Sequence, residues 1–168
     1  MSIKRLCANA VLAALLFAVF FMFSQILYLE FVTLTIILLA LNIPKYNSIW
    51  IVTTFVVLVW LVYGLSLWSF MYIIIYPGFT LLLKALKPLL SKSVYFIAIF
   101  GFLMALLAGN LIDLPFLLFS KEITLFYVLM GFRTTLIQGG IAFLAVLFLY
   151  EPLAASLQKI LNKGDIYA

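Results

Sequence analysis

Leu6–Phe23 reads LCANAVLAALLFAVFFMF, eighteen residues without a charge, directly after Lys4 and Arg5. A run of this length and polarity suits a helix crossing hydrocarbon, which takes about 20 apolar residues. The basic pair ahead of it imitates a secretory signal. Ala8-Asn9-Ala10, however, precedes most of the apolar run, where a cleavage site would follow it, so the segment reads as a retained first span. Outward from it come five more apolar runs with loose boundaries: Ile26–Ile43, Ser48–Tyr63, Leu67–Leu86, Val94–Leu111 and Phe126–Tyr150. The expected fold is an all-α integral membrane protein with six transmembrane helices forming one domain over residues 1–168.

Six crossings put both termini on one face. Lys4, Arg5, Lys45, Lys84, Lys87, Lys92, Lys159 and Lys163, eight of the ten basic residues, then share that face, which the positive-inside rule makes the cytoplasm. Lys121 and Arg133 fall in or near the outer half. Glu30, Asp113 and Glu122 go outside, Glu151 and Asp165 inside. The composition agrees, because a chain that is 68% hydrophobic and 9% charged has too few polar residues to cover a soluble surface. The net charge of +5 does not point to nucleic acid: the basic residues stand singly or in pairs at span ends, where anionic headgroups meet them. Cys7 is the sole cysteine and there is no His, which excludes an intramolecular disulfide and removes the commonest metal ligand and general base. No cofactor is expected. An intramembrane enzyme is disfavoured, since paired embedded carboxylates and a Ser with a plausible base are also missing.

Turn residues punctuate the spans. Pro44-Lys45-Tyr46-Asn47 makes a short inner turn, Gly64-Leu65-Ser66 a tight outer one, and Lys87-Pro88 through Lys92-Ser93 a basic inner loop. Between Asp113 and Glu122 the chain is too apolar for an ordinary solvated loop. It reads either as a lid over something or as an interfacial loop anchored by Phe116 and Phe119. From Pro152 onward, Leu153, Leu157, Ile160 and Leu161 recur at helical spacing, as in a last helix lying along the inner surface.

Polar and aromatic groups near the outer span ends are the candidates for binding, because such groups are costly in a membrane unless paired or used. Arg133 leads, with three readings open: contact to an anionic substrate, snorkelling to headgroups, or pairing with Asp113, Glu122 or Glu30. Gln138 lies deeper, five residues on, and reads as a cavity ligand or as an interhelical hydrogen-bonding group. Asn110 and Asp113, three apart, share a helix face and suit either a ligand hydroxyl or ring nitrogen or the capping of a helix exit. Trp68 and Tyr72, four apart, form a surface for stacking a flat heterocycle or part of an interfacial aromatic belt. Tyr28 and Glu30 fall in the first outer loop, which reads as an exposed loop; Trp60 and Tyr63 read as lipid-facing anchors rather than ligands.

Small residues form two stripes, Ala10, Ala14 and Ala18 in the first span and Gly101, Ala105 and Gly109 in the fifth, each spaced four apart so that another helix can approach closely. The first stripe, the Gly64-Leu65-Ser66-Leu67-Trp68 turn leading to Tyr76-Pro77, and the ending Leu149-Tyr150-Glu151-Pro152-Leu153 with Leu157 after it together resemble the substrate-capture subunit, or S component, of energy-coupling factor (ECF) vitamin transporters. The resemblance covers essentially the whole chain.

It implies a protein of the bacterial plasma membrane that captures a vitamin or precursor from outside and topples to release it inside. It also implies that the first outer loop, with Tyr28 and Glu30, can close over a pocket. Its implied partners are a transmembrane coupling subunit and two cytoplasmic ATPases, with Ala10, Ala14 and Ala18 as the docking stripe. The chain lacks a Gly-rich phosphate loop ending in Lys-Ser or Lys-Thr, so energy for uphill transport would come from a partner. It departs from many relatives at Gly131–Gln138, where Arg133 and Gln138 stand in place of the expected Asp, His or Asn. The cargo therefore stays open between a carboxylate such as pantothenate and a pyrimidine, pyridoxine or flavin ring. The competing class is an inner-membrane assembly scaffold of the cell-wall elongation type, which would also carry small-residue stripes but no outer pocket. No inverted repeat or pair of broken helices points to an autonomous transporter.

Overall fold

The computed structural model describes residues 2–26, 28–164 and 166–167, and Asp165, expected on the inner side, lies outside them. The described residues are helical throughout the regular structure. The elements are α1 (Ile3–Phe23), α2 (Val32–Asn42), α3 (Lys45–Tyr63), α4 (Leu67–Leu90), α5 (Val94–Leu111), a 3-10 turn (Leu114–Leu118) and α6 (Lys121–Lys163). Local chemistry starts most of them. Ser2, Ser93 and Ser120 cap α1, α5 and α6, and Ser66 and Ser69 form a reciprocal capping box at α4. Gly64, at φ 81°, supplies the left-handed residue that lets the chain reverse between α3 and α4. Trp60 then locks that turn by donating to the Ser69 carbonyl at 2.7 Å.

α1, α3, α4, α6 and the Val94–Leu118 segment are long and apolar enough to cross a membrane. The run expected as the second span behaves differently. Only Val32–Asn42 of it is helical, 11 residues, or about 16 Å at 1.5 Å per residue. Nearly all of α2 is interior, with Ile36, Ile37 and Ala40 fully buried in one core with Leu16, Phe55, Val56, Leu83 and Val146. Side chains facing outward are also apolar: Trp50 is 61% and Phe148 70% exposed, the pattern of a surface facing lipid rather than water.

The final segment also departs from expectation. The last span and the amphipathic ending form one 43-residue helix that continues through Pro152. Its second half turns Ala154 and Leu161 inward, while Gln158 donates to Asn42 Oδ1 at 2.7 Å. That contact belongs to a polar layer at the basic end of the bundle. In it Asn9 donates to Asn47 Oδ1 at 3.0 Å, Tyr167 donates its hydroxyl to Asn9 Oδ1 at 2.6 Å, and the Lys84 ammonium donates to the Ile43 carbonyl. The helices thus alternate in direction, with the C-terminal ends of α1, α3 and α5 and the N-terminal ends of α2, α4 and α6 gathered at the opposite end.

Candidate functional site

At the end away from the basic layer the bundle encloses a cavity of about 270 Å³. It lies beside the start of α2, whose helix begins only at Val32, and Ser24, Ile26, Leu29 and Glu30 of the loop ahead of that helix line it. Within that loop Tyr28 takes φ 71°, a region that bulky residues seldom occupy. Two residues later Glu30 lines the cavity, with its carboxylate accepting from the Thr33 N–H at 2.7 Å. That bond also satisfies a donor at the start of α2, where Phe31 provides no side-chain cap.

α4 contributes Tyr72 and Tyr76, one helical turn apart with ring centroids separated by 5.1 Å. They belong to a larger aromatic cluster: Phe20 meets Tyr72 edge-on at 6.3 Å, and Phe55 packs against Tyr76 at 5.8 Å. α6 contributes Gln138, and α5 presents the small residues Ala105, Ala108 and Gly109, which leave room for a guest. A concave, mostly apolar space with a few convergent polar groups is the usual form of a small-molecule site, and its volume is near the lower end of the range of about 300–1,000 Å³ for such sites. Among the described residues no group of three His, Cys, Asp or Glu stands together to hold a metal.

The structure separates the candidates read from sequence. Tyr72 and Gln138 line the cavity together, whereas Trp68, Asn110, Asp113 and Arg133 do not. Arg133 is exposed on α6. A five-residue offset turns a helix by about 140° from a whole number of turns, so with Gln138 toward the cavity Arg133 points elsewhere. Asn110 donates to the Leu106 carbonyl at 2.6 Å and to Thr135 Oγ1 at 3.4 Å, linking α5 to α6. Asp113 is buried and accepts from Trp68 Nε1 at 3.1 Å. The 3-10 turn closes over that pair, placing Phe116 against Trp68 and Tyr127 at centroid distances of 5.4 and 4.8 Å. Of the two proposed anchors of this segment, Phe116 is packed and Phe119 is 70% exposed.

Tyr76 is a site residue that sequence reasoning did not single out, and Glu30 was weighed only as part of the outer loop or as a partner for Arg133. The signal for Glu30 was present, an acid interrupting an otherwise apolar run, but its loop gave it an unremarkable exposed reading. Tyr76 stands four residues after Tyr72 and so had to share its face.

The two small-residue stripes have different fates. Gly101 and Ala105 are buried and Gly109 is half-buried, facing α2 and α6, whereas Ala10, Ala14 and Ala18 are all exposed on α1. No family model, no curated protein and no solved structure matches the chain.

Proposed function

We propose that the chain is the capture subunit of an ECF-type transporter, holding a vitamin or vitamin precursor taken from outside the cell and delivering it to an ATP-driven coupling module. The observation that carries this reading is the cavity itself, with a carboxylate, two tyrosines and an amide converging from three separate elements at the end opposite most of the basic residues. The positive-inside rule makes the basic end cytoplasmic, which places both termini inside and the cavity in the outer half. α2 is too short to cross alone. With its lead-in loop it completes the sixth passage, and the cavity occupies the depth that its helix does not fill.

The exposed Ala10, Ala14 and Ala18 on α1 support the partner half of the proposal. In lipid, helices associate through close packing of small residues, and this stripe is left unfilled within the chain while that of α5 is consumed by internal contacts. Its partner would be the transmembrane coupling subunit, with the two ATPases beneath it. The chain itself performs no covalent chemistry in this scheme.

Native mass spectrometry on gently purified protein tests the proposal. A retained small molecule, together with copurifying ATPase subunits, is the expected result. An empty protein that copurifies instead with cell-wall assembly proteins would replace it with the scaffold reading.

A further inference from the structure

Charge inside the cavity is one-sided. Glu30 lines it, and among the described residues no Lys or Arg does. The Thr33 N–H at 2.7 Å holds the carboxylate in place. A carboxyl group has two oxygens, so hydrogen-bonding capacity remains for a guest. Tyr72 and Tyr76 line the same cavity, and tyrosine rings can attract a cation or stack on a flat ring. Gln138 adds an amide that both donates and accepts. An anionic guest would find no basic side chain among the described lining residues to offset its lost hydration, and would stand beside Glu30. Arg133, the group that favoured a carboxylate cargo, is exposed and outside the lining.

Resting on the capture reading above, we infer that the cavity selects a small flat heteroaromatic carrying an amine or other N–H donor for Glu30, cationic or neutral, and rejects carboxylates. Its volume of about 270 Å³ suits a single-ring guest better than a flavin.

The test uses the full chain, freed of bound ligand in detergent, with calorimetric titration of ring-matched pairs. Pyridoxamine is set against 4-pyridoxate, and 4-amino-5-hydroxymethyl-2-methylpyrimidine against the corresponding 5-carboxylate. At least one amine is expected to bind about 10-fold or more tightly than its carboxylate partner, and Glu30→Gln is expected to remove about 10- to 100-fold of that affinity, the worth of a charge-assisted hydrogen bond. The Gln carbonyl still accepts from Thr33, so the start of α2 is preserved. Tyr72→Leu provides a second variant that weakens amine binding without touching that cap. A carboxylate that binds as well as its amine partner, or amine binding unchanged by Glu30→Gln, overturns the inference and leaves capture standing. If no compound binds, the molecule retained in native mass spectrometry decides. An N–H-bearing ring supports the inference and an anion overturns it alone, whereas an empty protein overturns the capture reading as well.

Discussion

A Cβ placed on Gly109 of α5 would fall 2.0 Å from Cγ2 of Thr135 on α6, so these two helices meet at a separation that only glycine allows. The same interface repeats the device from the other side, where a Cβ on Gly139 would stand 3.0 Å from the Phe102 ring. Close approach brings Asn110 within 3.4 Å of Thr135 Oγ1 and sets the wall of the cavity that Gly109 lines.

Replacing Gly109 by Val is therefore expected to destabilise the protein by about 1–3 kcal/mol or more, the range for overpacking. Thermal unfolding in detergent should show a clearly lower midpoint. A midpoint matching the wild type would mean that α5 and α6 separate freely and that the interface is not tight.

The Trp68 and Asp113 pair makes a second stability prediction. Asp113 is buried and its carboxylate accepts from the indole N–H at 3.1 Å. Trp68→Phe keeps most of the ring but removes the donor, and should cost about 1–3 kcal/mol, the penalty for a buried polar group left without its partner. Adding Asp113→Leu should recover part of that loss. Equal unfolding midpoints for the two variants would show that the hydrogen bond is not what holds the 3-10 turn in place.

Asn42 is the hub of the basic end, donating to the Leu38 carbonyl at 2.9 Å and to the Tyr150 hydroxyl at 3.5 Å while accepting from Gln158 at 2.7 Å. Asn42→Leu should loosen the second half of α6, because it removes the polar tie through Gln158 and leaves the inward packing of Ala154, Leu157 and Leu161 and the Tyr167–Asn9 bond beyond the helix end. Hydrogen exchange resolved to peptides is expected to speed up over residues 151–163 and to stay unchanged over α3. Unaltered protection in that stretch would assign the docking of α6 to apolar contacts alone.

Hydropathy made five spans legible, together with the Gly64 turn, because apolar length and turn chemistry are local properties. It did not reveal that the run from Ile26 to Ile43 is only partly helical. An apolar loop folded inside a protein and an apolar helix have the same hydropathy, and the structure shows that Glu30, by bonding Thr33, marks where the helix begins. The continuity of α6 through Pro152 was hidden for a related reason: Pro weakens a helix without always ending it, and the tertiary contacts of Ala154, Gln158 and Leu161 favour continuation. Site residues were legible where a polar group interrupts a long span, as at Gln138, or where aromatics share a helix face, as at Tyr72. The choice of Arg133 over Glu30 failed to anticipate the cavity lining, because which face of α6 points inward depends on packing against α5 that no single segment encodes.

Arg133→Ala consequently serves as a control. The residue is exposed and outside the cavity lining, so affinity for the captured molecule should stay within about twofold of wild type, the size of a surface effect below 0.5 kcal/mol. A loss of tenfold or more would return Arg133 to the binding site and require the first part of α6 to move when cargo is bound.

The exposed stripe on α1 carries the last prediction. Ala10, Ala14 and Ala18 are exposed, whereas Leu16, on the far side of the helix, and Ala13, between the two faces, are fully buried in the core. A bulky group at Ala14 would therefore project away from the fold and into any helix lying along the stripe. Ala14→Trp should leave the unfolding midpoint and the cavity intact while preventing copurification with a coupling subunit and its ATPases, since small-residue packing tolerates no large side chain at its centre. Ala14→Gly, which keeps the groove shallow, should preserve assembly. Normal complex formation by the Trp variant would show that the partner binds on another face, and loss of folding in both variants would show that the stripe serves the chain's own packing.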